Sequence, residues 1–125
     1  MKFHHIGIAC RDINEQLKLI KILFPEAILK KPFYDPLQNA SLSLIIMNDL
    51  TIELISGQPV KKLVEKGITG YHICFSVSNI TKSINKFINN GAIIVSSPKP
   101  AILFKNKKVA FLHTKLGLIE LIEDI

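Results

Sequence analysis

Two histidines and two glutamates recur in this chain at one spacing: His5 and His72 lie 67 positions apart (72 − 5 = 67), and so do Glu53 and Glu120 (120 − 53 = 67). Imidazole nitrogen and carboxylate oxygen are the donors that zinc, nickel, cobalt, iron and manganese accept. A duplicated segment carrying one of each supplies four ligands to a single ion, with coordination positions left for water or a substrate oxygen. Each residue alone is ordinary, since a strand histidine usually sits on the surface or in a satisfied polar contact and a strand glutamate usually faces solvent. Four residues obeying one offset point to a shared metal site. The donor set does not by itself select the metal.

The residues around them repeat as well. Ile52-Glu53-Leu54-Ile55 is echoed by Ile119-Glu120-Leu121-Ile122, and Ile6 and Ile13 by Ile73 and Ile80. The repeated unit is therefore a structural module. Residues 3–10 alternate as a strand does, with Ile6, Ile8 and Cys10 on one face and Phe3, His5, Gly7 and Ala9 on the other, which makes the His5 side the lesser core face. Asp12 with Glu15 resembles a capping box, and Ile13, Leu17, Ile20 and Phe24 fall at helical spacing, so the pattern predicts a helix over 12–23 stopped by Pro25. Strands are expected at 27–31, 40–47 and 50–55, with Asn48-Asp49 turning the last two.

The second half repeats this grammar. It predicts a strand at 71–77, a helix at 79–90 closed by Asn90-Gly91, and strands at 92–96, 107–113 and 117–122, with Ser97-Pro98-Lys99-Pro100 read as a turn. Module one covers 1–56, a connector with a short helix at 60–66 covers 57–70, and module two covers 71–125. The expected fold is α+β, one domain of two tandem βαβββ modules forming an open, partly closed, barrel-like sheet around the metal. In each module the histidine lies on the first strand and the glutamate on the last. Packing about a pseudo-twofold axis would bring all four together, within one chain or across a homodimer.

A chain of 125 residues, 48% of them hydrophobic, is about one domain and large enough to bury a core. No apolar run approaches the roughly 18 residues of a membrane span, and His4, His5 and Gly7 interrupt any signal-peptide core. A cytoplasmic protein without a membrane partner is expected. The net charge of +6 comes almost wholly from lysine, with Arg11 the only arginine. Arginine is the residue suited to bidentate base and phosphate readout, so nucleic acid is not the expected partner. Lys61, Lys62, Lys66, Lys99, Lys105, Lys107 and Lys108 form a solvated surface that also suits an anionic small molecule.

Cys10 and Cys74 occupy different repeat positions and form no CxxC pair, so they read as small buried residues. Cys74 shares the His72 face and lines the expected pocket without being needed as a ligand. His4 falls on the opposite face from His5 and reads as structural, while His113 reads first as a strand-end residue and second as an outer donor to the site.

With these motifs in place, the chain resembles the vicinal-oxygen-chelate superfamily, which spans glyoxalases, methylmalonyl-CoA epimerases, extradiol dioxygenases and bleomycin and fosfomycin resistance proteins. His5-Ile6-Gly7-Ile8-Ala9, Tyr71-His72-Ile73-Cys74, Phe111-Leu112-His113 and Leu118-Ile119-Glu120-Leu121 carry the likeness, most closely to the epimerase group. The resemblance implies metal ligation by His5, Glu53, His72 and Glu120, with one divalent Co, Ni, Zn, Mn or Fe ion. Four protein ligands differ from the triad of oxygen-activating members and from the sequestering proteins that lack the set.

The resemblance further implies an isomerase in which Glu120 and Glu53 handle a proton beside the carbonyl of a small-molecule or thioester substrate, such as an acyl-CoA like methylmalonyl-CoA. A glyoxalase I-type lyase is the alternative enzyme, and a non-catalytic small-molecule binding or resistance protein the alternative class. Residues 99–105 depart from the glycine-containing epimerase loop, and Leu42 and Ser43 supply no additional carboxylate. The segment 11–24 lacks the arginine contacts of glyoxalase I.

Overall fold

The computed structural model describes residues 1–124, which divide into two compact units. One runs His5–Tyr71; the other joins Met1–His4 to the chain from His72 onward. Each unit is an α+β assembly, and the described residues contain three α-helices and nine strands with mixed parallel and antiparallel pairing.

In the first unit, β1 (Lys2–Ala9), which enters it at His5, leads into α1 (Ile13–Leu23), then β2 (Ile28–Leu29), β3 (Phe33–Asp35), β4 (Ala40–Met47) and β5 (Leu50–Gly57). Helix α1 starts as its capping residues predict, because the Asp12 carboxylate accepts from the Glu15 backbone N–H at 3.1 Å. Its Ile13 packs into a core with Cys10, Ala27, Ile45 and Leu54, and Leu17 and Ile20 close over it. Strand β1 pairs in parallel with β5, and β4 runs antiparallel to β5.

The strand expected over 27–31 is short, and a further strand, β3, follows it. Ile28 and Leu29 pair with Ile46 and Ile45, while Phe33 to Asp35 pair with Leu42 to Ala40. Both pieces lie on one edge of β4, so they act as one strand interrupted at Lys30–Pro32, where the proline has no N–H for a ladder.

Gly57 ends β5 at φ +112°, and a Cβ there would lie 2.8 Å from the Asn39 carbonyl oxygen. Glycine alone fits both the conformation and the approach. A 3₁₀ turn (Gln58–Val60) and α2 (Lys61–Glu65) follow.

The second unit contains β6 (Gly70–Val77) from His72 onward, α3 (Ile80–Asn89), β7 (Ile93–Ala101), β8 (Lys107–Thr114) and β9 (Gly117–Glu123). Helix α3 is capped twice: Asn79 accepts from Lys82 N–H and Glu123 accepts from Ile80 N–H, both at 2.9 Å. Ile80 and Ile84 bury against Val77, Ala92, Ala110, Leu112, Ile119 and Leu121. Burying a side chain of this size contributes about 1.5–3 kcal/mol. Strand β6 pairs in parallel with β9, and β9, β8 and β7 follow in antiparallel order. Neither unit's sheet closes on itself. The first residues of the chain belong here through Phe3, whose ring meets Phe75 edge to face at 6.5 Å.

The turn expected at Ser97–Pro100 is not present. Strand β7 continues through these residues to Ala101, with register shifts on either side of Ser96. Its prolines are tolerated because β7 pairs only with β8 in its unit and needs no N–H on the other side. The reversal lies further on, where a 3₁₀ turn (Ile102–Phe104) leads to Lys105 and Asn106, both left-handed at φ 56° and 62°.

Candidate functional site

Each unit places one histidine and one glutamate on the face of its sheet opposite its helix. In the parallel ladder of β1 and β5, Gly7 stands opposite Glu53, and His5 is the preceding residue on Gly7's face. The His5 Nε2 and Glu53 Oε2 atoms are 4.0 Å apart, with side chains 0% and 7% exposed. In the ladder of β6 and β9, Cys74 stands opposite Glu120, and His72 precedes Cys74 on the same face. Its Nε2 lies 3.8 Å from Glu120 Oε1, with side chains 0% and 5% exposed. The structure therefore builds the same pair twice, from residues 67 positions apart.

The burial of the His5 face differs from expectation. His5, Gly7 and Ala9 are buried, whereas Ile6 and Ile8 are half-buried. Alternation separates two faces of a strand but carries no measure of what covers each.

Burial also sets the electrostatics. Removal from water lowers the His5 pKa below its ordinary value, and the nearby Glu53 charge opposes that shift. His5 is thus held as a neutral imidazole, the form that ligates a metal. Burial pushes the Glu120 carboxyl up to about 7, and a hydrogen bond from the Cys74 thiol pulls in the other direction.

These residues fit a divalent ion. Two ligands each about 2.1 Å from a metal can be at most about 4.2 Å apart, and both His–Glu separations fall inside that span. Buried carboxylates are also the groups that a bound cation relieves of their desolvation cost.

Phe111 and Cys74 bear on the second pair in ways that motif reading did not specify. The Phe111 ring meets His72 edge to face at 5.3 Å and 81°. Cys74, expected to line the pocket, is buried and stands opposite Glu120 in the β6–β9 ladder. The available signal for that contact was the 67-residue offset that sets Cys74 against Gly7 (74 − 7 = 67). His4 lies half-buried with its ring 5.2 Å from Phe104, and His113 is exposed near the end of β8, as a strand-end residue should be. Both cysteines are buried and free. Lys107 is engaged by Asp124 at 2.7 Å, whereas Lys61, Lys62, Lys66, Lys99, Lys105 and Lys108 are exposed. No helix among the described residues is long and apolar enough to cross a membrane.

The fold and its side chains define a duplicated α+β protein with a buried His–Glu pair on corresponding strands of each copy. Residues 4–111 match the family model of the glyoxalase/bleomycin resistance protein/dioxygenase superfamily, and the chain belongs to that superfamily. It is 27% identical over 120 residues to the ethylmalonyl-CoA/methylmalonyl-CoA epimerase of Cereibacter sphaeroides, covering 91% of this chain and 89% of that protein.

Among solved structures it resembles a hypothetical protein from Bacillus halodurans, with a TM-score of 0.83 and 26% identity over 99% of this chain and 94% of that one. It also resembles a variant of Streptomyces coelicolor methylmalonyl-CoA epimerase in complex with 2-nitronate-propionyl-CoA. There the TM-score is 0.82 at 19% identity, covering 99% and 94% of the two chains.

Proposed function

We propose that this chain is a divalent-metal-dependent isomerase that removes and returns a proton on the carbon beside a carbonyl, acting on an acyl-CoA thioester of the methylmalonyl-CoA type. One observation carries the reading: a buried His–Glu pair of the same geometry occurs in both units at the same repeat position. The 27% identity to an ethylmalonyl-CoA/methylmalonyl-CoA epimerase supports it over most of the chain, and the fold is also that of an epimerase captured with an acyl-CoA analogue.

In this reading His5, Glu53, His72 and Glu120 together hold one ion of Co, Ni, Zn, Mn or Fe. When bound, it supplies Lewis acidity toward the substrate's carbonyl oxygen. The two carboxylates move the proton. One takes it from one face of the carbon, and the other delivers a proton to the opposite face, so that the centre inverts and no net proton is gained or lost.

A bound cation lowers the pKa of a carboxylate that ligates it, so the carboxylate that takes the proton would have to be released from the ion when substrate binds. Phe111 limits the movement of His72 from the side. Exposed Lys99, Lys105 and Lys108 near the β7–β8 reversal offer positive charge to the phosphates of a CoA carrier.

The test measures metal content of the purified protein and, on the same sample, exchange of the substrate proton of methylmalonyl-CoA in heavy water. About one metal per chain with exchange is the expected result. Metal without exchange redirects the search to hemithioacetals, the substrates of glyoxalase-type lyases. Absence of metal after reconstitution refutes the enzyme reading and leaves a small-molecule binding protein.

A further inference from the structure

The two His–Glu pairs match in type, spacing and burial, yet they differ in what faces each glutamate across its ladder. Glu53 stands opposite Gly7, which has no side chain. Glu120 stands opposite Cys74, the residue at the same repeat position. The Cys74 side chain is fully buried and packs with Ala101, Val109 and Ile122 under Phe104.

In that apolar setting the buried thiol and the buried Glu120 carboxyl share one face of the sheet on directly paired residues, which places an S–H donor beside a carboxylate acceptor. A thiol is a weak donor in water, but a bond in a dry surrounding is electrostatically stronger. Sheet pairing holds both backbones, so the bond limits the rotamers open to the glutamate.

We infer that Cys74 is a positioning residue that fixes the carboxylate of Glu120 through its S–H group, a device that the otherwise matching first copy lacks at Gly7. The two glutamates are thereby made inequivalent: Glu120 is braced by a donor from the neighbouring strand, and Glu53 receives none from its ladder partner. The role in metal binding rests on the function proposed above; the hydrogen bond itself does not. Outer groups that orient a ligand typically change metal affinity about 10–100-fold when removed.

The experiment titrates metal-free wild type, Cys74→Ser and Cys74→Ala with Co²⁺, following the visible spectrum and checking each fold by urea denaturation. Cys74→Ala should bind about 10–100-fold more weakly, and Cys74→Ser, which keeps a donor, should stay close to wild type. Equal affinity in Cys74→Ala overturns the inference. So does an equal loss in both variants, which would assign Cys74 a packing role. A thiolate-to-cobalt charge-transfer band lost in Cys74→Ser also overturns it, by making Cys74 a ligand.

The infrared S–H stretch provides the arm that needs no metal. The Cys74 band, identified by its loss in Cys74→Ser, should rise in frequency in Glu120→Ala and Glu120→Leu. If wild type takes up no cobalt, the proposed metal function fails, and this band still decides the bond: movement supports it and an unchanged band overturns it.

Discussion

His72 and Glu120 lie on neighbouring parallel strands with Nε2 and Oε1 3.8 Å apart, and the edge of the Phe111 ring rests against the imidazole. His5 and Glu53 reproduce that arrangement at 4.0 Å in the other unit. The spacing suits two ligands of one ion, so removing a single member should be felt as lost metal affinity and not as lost fold. His72→Ala and Glu120→Ala should each weaken Zn²⁺ or Co²⁺ binding by more than the ~10–100-fold typical of outer groups. Equilibrium dialysis with elemental analysis measures this. Unchanged metal content in both variants would exclude them as ligands.

The metal-free chain should carry a pH signature of Glu120. Its folded pKa is raised from an ordinary value of 4.5 to about 7. A group raised in this way contributes stability that is fully present below about 4.5 and is lost as pH rises through about 7. The shift corresponds to about 3 kcal/mol. Glu120→Gln should therefore be more stable than wild type at pH 8 by a few kcal/mol in the absence of metal, with the gap narrowing toward pH 5. Urea denaturation of the two proteins at both pH values gives the comparison, and a pH-independent difference would contradict it.

Gly57 should tolerate no side chain. At φ +112° and with the Asn39 carbonyl oxygen 2.8 Å from an added Cβ, Gly57→Ala combines backbone strain with a clash. It is expected to cost at least about 1–2 kcal/mol. Gly70→Ala meets nothing within 4 Å and is the control, with an expected change of about 0.5 kcal/mol or less. Equal denaturation midpoints for the two variants would refute the packing argument.

Thiol chemistry offers a further check on burial. Burial, aided by the negative charge of Asp12, pushes the Cys10 thiol up to about 11. Cys74 is fully buried. Because the thiolate is the reactive form, both should react slowly with a disulfide reagent at pH 8 and rapidly once the chain is unfolded in urea. Immediate modification of both thiols in the native protein would show that neither is enclosed.

Much of the site was legible in the chain because duplication leaves a record that needs no coordinates. The offset linking His5 to His72 also links Glu53 to Glu120, and strand alternation places each glutamate on the side away from its neighbouring isoleucine and leucine. Capping residues likewise marked the helices, since Asp12 and Asn79 each accept a hydrogen bond in the first turn that follows. These are local signals, written within a few residues of the feature they specify.

What the sequence determined by itself was therefore the repeated pattern, its helices and the identity of its chemical groups. Tertiary structure decided register, burial and the course of β7. Ser97-Pro98-Lys99-Pro100 has turn composition, yet it runs on as a strand because only one of its edges has to pair with β8. The residues of the His5 face are deeply buried although Ile6 and Ile8 look like the core face, since alternation cannot say which side will be covered. Cys74 meets Glu120 only because β6 and β9 pair in that particular register. A slip of one residue would turn the thiol and carboxylate to opposite sides of the sheet, and strand pairing over a long separation is a choice made by the packed whole.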